Sequence, residues 1–154
     1  MGNTLKKPRA GNNVRMKNNV ATSGALPIRF RKSHSAFQRA FAERRVLAEW
    51  DFVKHDGNTQ NEAGDASDQQ DHGTSTWSAL GGAVDGSLYG PAYGASFLLA
   101  KTEDTAGETP IEEDNWVAGL EWAEGHGADV VSSSLGYIDW YTQADLNGQT
   151  AVTS

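Results

Sequence analysis

The sequence predicts an α/β fold built on a parallel sheet, and three consecutive segments carry that prediction. ASFLLAK, residues 95–101, is a short apolar run typical of a buried strand, and ADVVSSS, residues 128–134, is a second one. Between them lies TPIEEDNWVAGLEWAEGHG, residues 109–127, which has the length and composition of a helix. A strand, helix, strand unit of this kind joins parallel strands through a right-handed crossover.

The ends of the predicted helix can be assigned from residue types. Thr109 as N-cap, Pro110 at the first helical position and Glu112 at the third form a capping box. The glycines that flank His126 can end the helix. The C-terminal end of a helix carries a partial negative charge, and a positively charged side chain is favourable there. His126 is therefore interpreted as a cap residue and not as a catalytic group.

Upstream, the sequence predicts a short helix followed by a strand. Ser33 or Ser35 can cap the helix, in which four apolar residues recur at helical spacing. Those residues are Ala36, Phe37, Ala40 and Phe41. RVLAEWDFV, residues 45–53, is rich in residues that favour strands and is predicted as one.

Charge divides the chain into two parts. Eleven of the 13 lysines and arginines lie in residues 1–45, where Glu43 is the only acid. Residues 1–29 are basic, rich in Asn and Gly and without sustained periodicity, so they are interpreted as a disordered arm, and residues 30–154 as the folded domain. A nucleic-acid tether is the alternative for the arm, but Phe30 is the first aromatic residue and stacking partners are absent before it, so no nucleic-acid partner is expected.

Composition excludes several classes of protein. The chain has no cysteine, which rules out disulfides, thiolate catalysis and Cys-ligated zinc. No apolar run approaches the roughly 20 residues that span a bilayer, so no membrane association is expected. The basic start of the chain is followed by polar sequence and not by the apolar core of a signal peptide. The cellular compartment stays undecided.

The polar segment KHDGNTQNEAGDASDQQD, residues 54–71, is predicted to be a surface loop. Its acids resemble a calcium loop superficially, but the central Gly and terminal Glu of an EF-hand are not in place. Calcium binding remains open as the alternative. No other metal and no organic cofactor is expected.

His72 stands where this loop enters a run of small and apolar residues, DHGTSTWSALGG, residues 71–82. The run suits a helix packed closely on a sheet, with Gly73 and Thr74 allowing a backbone to pass near the histidine. In open parallel sheets, active residues gather beyond the carboxyl ends of the strands, often where a loop enters a helix. A lone histidine after a polar loop is more often structural, so both interpretations of His72 stay open on this pattern alone.

Three segments together resemble one family. DHGTSTWSALGG resembles the histidine motif of the subtilisin-like serine proteases, the subtilases. GASFLLAK, residues 94–101, resembles the strand that follows the histidine helix in that family, and ADVVSSSLGY, residues 128–137, resembles the strand that lines the substrate cleft. The resemblance extends from about Phe30 to the C-terminus and implies part of a subtilisin-like fold, a parallel sheet with helices on both faces.

The resemblance also implies a chemistry. His72 matches the general base of a serine endopeptidase, which takes the proton of a serine hydroxyl and returns it to the leaving amine, a role that suits imidazole because it titrates near neutral pH. Ser134, Leu135 and Gly136 match the segment that pairs with the backbone of a peptide or protein substrate. No metal ligand is implied.

The chain departs from the family pattern at two places. Where the family has a strand ending in Asp, then Thr or Ser, then Gly, this chain has Pro27, Ile28 and Arg29, and the C-terminal residues NGQTAVTS contain no Gly-Thr-Ser motif. We therefore expect an inactive fragment of a serine endopeptidase that lacks the Asp and Ser motifs, for which a complementary fragment could supply the serine. The alternative is a non-catalytic module that binds extended peptides.

Overall fold

The computed structural model describes residues 31–67, 69–104, 107, 109–137 and 141–142, together with the backbone of residues 19–24. Its elements are β1 Asn19–Gly24, a 3₁₀ turn Ser35–Phe37, α1 Gln38–Ala42, β2 Val46–Asp51, α2 Asp71–Gly81, β3 Ala83–Val84, β4 Leu88–Tyr89, β5 Ser96–Lys101, α3 Ile111–Gly125 and β6 Val130–Ser134. In these residues no helix is both long and apolar enough to cross a membrane.

Four strands form one parallel sheet in the order β2-β5-β1-β6, and β3 and β4 form a small antiparallel hairpin. The predicted strands, β5 and β6, are parallel members of the same sheet, but β1 lies between them. The interpretation of residues 1–29 as a disordered arm is therefore wrong for Asn19–Gly24, which pairs with β5 on one side and β6 on the other. The short run NVATSG carries little periodic signal of its own. Its place in the sheet depends on the ladders that it forms with distant segments, which local pattern does not show.

Helices cover both faces of the sheet. Phe97 and Leu99 of β5 belong to a core cluster with Trp77 of α2, whereas Leu98 belongs to a second cluster with Ala123 of α3. Successive side chains of a strand point to opposite faces, so the two clusters lie on opposite sides of β5. This arrangement confirms the predicted α/β class with helices on both faces of a parallel sheet.

The core under α2 is built on aromatic contacts. Phe37 stacks on Trp77 with ring centroids 3.8 Å apart, and Phe97 meets the same indole edge-on at 5.4 Å. All three side chains are fully buried. The helix approaches β5 closely at Gly81, where a Cβ would clash with the Phe97 ring. A glycine at position 81 is therefore required by the packing that holds the end of α2 on the sheet.

Two predicted helix ends differ in detail. The side chain of His34, and neither Ser33 nor Ser35, accepts a hydrogen bond from the backbone N–H of Ala36 at the start of the 3₁₀ turn. At α3 the predicted capping box is wrong, because the buried Glu112 carboxylate accepts from the backbone N–H of Asp104 at 3.0 Å. Tertiary contact with the segment after β5 thus takes the carboxylate that a local cap would have used.

Candidate active site

His72 is the second residue of α2, and the loop-to-helix junction around it is held by hydrogen bonds. The Thr74 hydroxyl donates to the carbonyl of Gln70 at 2.6 Å and accepts from the backbone N–H of Arg31 at 2.9 Å. The Arg31 guanidinium also contacts the Asp71 carboxylate at 3.1 Å. The residue types around His72 therefore serve to anchor the first turn of α2 and leave the imidazole partly exposed.

The structure brings two predicted site residues together. Nε2 of His72 lies 3.3 Å from Oγ of Ser134, although 62 positions separate them in the sequence. Ser134 ends β6, so the contact forms at the carboxyl edge of the sheet. Leu135 and Gly136 continue directly from this point, Leu135 half-buried and Gly136 exposed. All four predicted residues thus belong to one region of the surface.

The strand beside Ser134 supplies no acid. Gly24, the last residue of β1, pairs in register with Ser134, and β1 reads NVATSG, without a carboxylate. Glu43 is the first acidic residue in the chain. Pro27, Ile28 and Arg29, which stand in place of the family's acidic motif, lie outside the described residues. The strand that pairs with β6 beside Ser134 therefore carries no Asp or Glu.

Asp51 is engaged elsewhere. At the end of β2 its carboxylate forms a fully buried ion pair with Lys101, the last residue of β5, and its other oxygen accepts from the backbone N–H groups of Val53 and Lys54 at 2.8 and 2.9 Å. Sequence analysis passed over Lys101, although a lysine closing an otherwise apolar strand is a signal for such a pair. The carboxylate of Asp51 therefore has a structural role at the β2–β5 edge.

The loop after β2 gathers three acids that could hold a cation. Ligand atoms of Asp51, Asp56 and Glu62 lie within 4.8 Å of one another. Two lysines already compensate this charge, since Lys101 pairs with Asp51 and Lys54 lies 3.5 Å from Glu62. Lys54 also lies 2.9 Å from a fourth acid of the loop, Asp65. A divalent ion would have to displace or face these ammonium groups.

Tyrosine and glutamate side chains adjoin the segment after β6, and sequence analysis missed them. The hydroxyl of Tyr137, which follows Gly136, donates to the Glu103 carboxylate at 2.8 Å. Burial of the phenol, followed by its hydrogen bond to Glu103, raises the pKa of Tyr137 well above its ordinary value. Tyr141 donates to Glu113 at 2.7 Å. These bonds tie the chain after β6 to α3 and to the segment after β5.

A cavity of about 470 Å³ lies between the end of β2 and the start of α3. Its lining includes Phe52, His55, Asp104 and Glu112, and none of the four predicted site residues. The histidine that lines this cavity is therefore His55, whereas the histidine that contacts Ser134 is His72.

Comparison with known proteins supports one family. The model of the subtilase family matches residues 12–154, which includes β1, α2 and β6. A search of curated proteins finds no match. The match starts within residues 1–29, which the charge distribution separates from the predicted domain. This start agrees with the position of β1 in the sheet. With its parallel sheet, its histidine helix and this match over most of its length, the chain belongs to the subtilase family, whose function is of the serine peptidase kind.

Proposed function

We propose that this chain is the histidine-bearing part of a serine endopeptidase, in which His72 acts as general base and Ser134, Leu135 and Gly136 pair with the substrate backbone. The observation that carries the proposal is the contact of 3.3 Å between His72 and Ser134 at the carboxyl edge of the sheet. A peptide lying along the exposed segment after β6 would pass beside the imidazole, which could then take the proton from the nucleophile that attacks the scissile carbonyl.

We further propose that the chain alone does not cleave peptides. No acid lies on β1 to hold the imidazole in one tautomer, and no Gly-Thr-Ser motif follows β6 in the sequence. In triad enzymes of this kind, loss of the Asp costs roughly 10⁴ in turnover and loss of the Ser roughly 10⁶. Both losses together bring peptide hydrolysis to the level that binding alone can supply.

Peptide binding provides the test. An extended peptide pairs with backbone N–H and C=O groups, so Gly136→Pro, which removes an N–H, should abolish binding. Gly136→Ala is the matched control, because a Cβ at this position meets no heavy atom within 4 Å. Fluorescence anisotropy of labelled extended peptides should show binding to the wild-type chain and to Gly136→Ala. Absence of binding to the wild-type chain, or equal binding to Gly136→Pro, contradicts the proposal.

The second candidate is a non-catalytic module that binds peptides without a reaction. Every residue of β6 is exposed, and among the described strands β6 pairs with β1 alone, which leaves its other edge open. Such an edge is suited to the addition of a peptide strand. A complementary subtilase fragment carrying the serine motif separates the two candidates. If its addition restores cleavage that His72→Ala abolishes, the peptidase proposal holds. If peptide binding persists in His72→Ala and no peptide is cleaved, the non-catalytic module is favoured.

A further inference from the structure

We propose that Ser134 and His72 form a nucleophile–base pair that accepts acyl groups from small activated esters, an activity distinct from peptide hydrolysis. In the proposed function, Ser134 pairs with the substrate backbone. The geometry gives it a second capacity, because its hydroxyl oxygen lies 3.3 Å from Nε2 of His72. A serine hydroxyl becomes nucleophilic when an adjacent base can take its proton.

Access and position support this assignment. Ser134 is exposed and His72 partly exposed, so a small ester can reach both. The pair lies at the first turn of the 11-residue helix α2, whose N-terminal end carries partial positive charge that favours a developing oxyanion nearby. The separation is slightly longer than the usual 2.6–3.2 Å of a nucleophile–base hydrogen bond, as is common before substrate binds.

Neighbouring hydroxyls differ from Ser134. Ser133 accepts a hydrogen bond from Nε1 of Trp116 at 3.1 Å, and it points away from His72 because alternate residues of a strand face opposite sides. Ser78 and Thr74, in α2 itself, donate to backbone carbonyls. These three hydroxyls have local partners, whereas the hydroxyl of Ser134 meets an imidazole.

The reaction balances without a cofactor. As Oγ of Ser134 attacks the ester carbonyl carbon, its proton passes to Nε2 of His72 and the carbonyl π pair moves to oxygen. Collapse restores the carbonyl, forms acyl-Ser134 and expels the phenolate, which takes up the proton from the imidazolium, so that His72 is neutral again. Water then attacks the acyl group, gives a proton to His72, and the Ser134 oxygen leaves and is reprotonated. The products are the acid and the phenol.

Activated esters are the expected class because of their leaving group. An aryl ester expels a stable phenolate and needs little help from an acid, whereas an amide must have its leaving amine protonated. β1 carries no carboxylate of the kind that assists this proton transfer in a serine triad. The pair should therefore react with aryl esters and leave peptides intact.

The test is hydrolysis of p-nitrophenyl acetate and labelling by an aryl fluorophosphonate, with peptide mapping of the modified residue. We expect label on Ser134, none in Ser134→Ala, and acylation slowed about 10²-fold in His72→Ala, the lower end of the range for general-base catalysis. Ser133→Ala and Ser132→Ala are the controls and should keep full labelling. Circular dichroism of each variant checks that it is folded.

Three results would overturn the assignment. They are label on His72 itself, full ester hydrolysis by folded Ser134→Ala, and an acylation rate that His72→Ala leaves unchanged. None of them bears on peptide binding through Gly136, so failure here leaves the proposed peptide binding untouched, and failure of peptide binding leaves this assignment standing.

Discussion

The buried ion pair between Asp51 and Lys101 gives the most demanding prediction about stability. Both side chains are fully buried, and the pair joins the ends of β2 and β5. Asp51→Asn keeps an oxygen that can accept from the backbone N–H groups of Val53 and Lys54, so the turn after β2 retains its hydrogen bonds. The change therefore removes mainly the charge that Lys101 faces.

Breaking a buried pair by removing one partner typically costs about 3–5 kcal/mol, because the remaining charge has left water without full compensation. In a domain of 150 residues each kcal/mol lowers Tm by about 2–4 °C, so Asp51→Asn should lower Tm by roughly 6–20 °C. Urea and thermal unfolding followed by tryptophan fluorescence measure both quantities, and the chain has five tryptophans to report on it.

Two further variants make the reasoning refutable. Asp51→Asn/Lys101→Met removes both charges of the pair and should be more stable than Asp51→Asn alone, since Lys101 no longer leaves a buried charge without its partner. Glu43→Gln breaks the exposed contacts of Glu43 with Arg39 and Arg45 and should unfold close to wild type. If Asp51→Asn unfolds like Glu43→Gln, or if the double variant is no more stable than the single one, the pair does not carry the stability assigned to it.

Three other predictions concern packing, pH and calcium. Gly81→Ala should destabilise by about 1–3 kcal/mol in urea unfolding, because the new Cβ meets the buried Phe97 ring, whereas Gly136→Ala should be neutral; equal effects would refute the close approach. Because the folded-state pKa of Tyr137 is raised, its protonated form stabilises the fold below the ordinary value of 10.0, and stability is lost as pH rises above that value. Tyr137→Phe should flatten this alkaline loss in thermal unfolding between pH 8 and 11, and an unchanged slope would contradict it. Calcium should leave Tm unchanged, because Lys101 and Lys54 already compensate the acids of the loop after β2, whereas a rise in Tm that saturates with calcium would show a bound ion.

Local pattern was enough for the elements that carry their own signal. The apolar run of β5 and the long helix α3 were predictable because their length and composition are marked in neighbouring residues, although the capping box predicted for α3 is wrong. The placement of His72 at a helix entry followed from the small residues after it, which close packing on the sheet requires at Gly81. Membership of α2 and β6 in one α/β fold could thus be predicted before any contact was known.

Contacts between distant segments could not be predicted in this way. The residues of β1 look like an extension of the basic arm, yet they form the inner strand between β5 and β6. Glu112 has the position of a capping-box residue but bonds to Asp104. In both cases a partner outside the element competes with the local preference: β5 and β6 for β1, and the segment after β5 for Glu112.

The sequence by itself determined the α/β class, the elements β5, α2, α3 and β6, and the residue types at the candidate site. Only the tertiary structure decided that β1 separates the two predicted strands, that Asp51 is committed to Lys101, and that Ser134 faces His72 across 62 positions. The physical reason is that propensity and periodicity act within a few residues, whereas the pairing of strand ends depends on the register of the whole sheet.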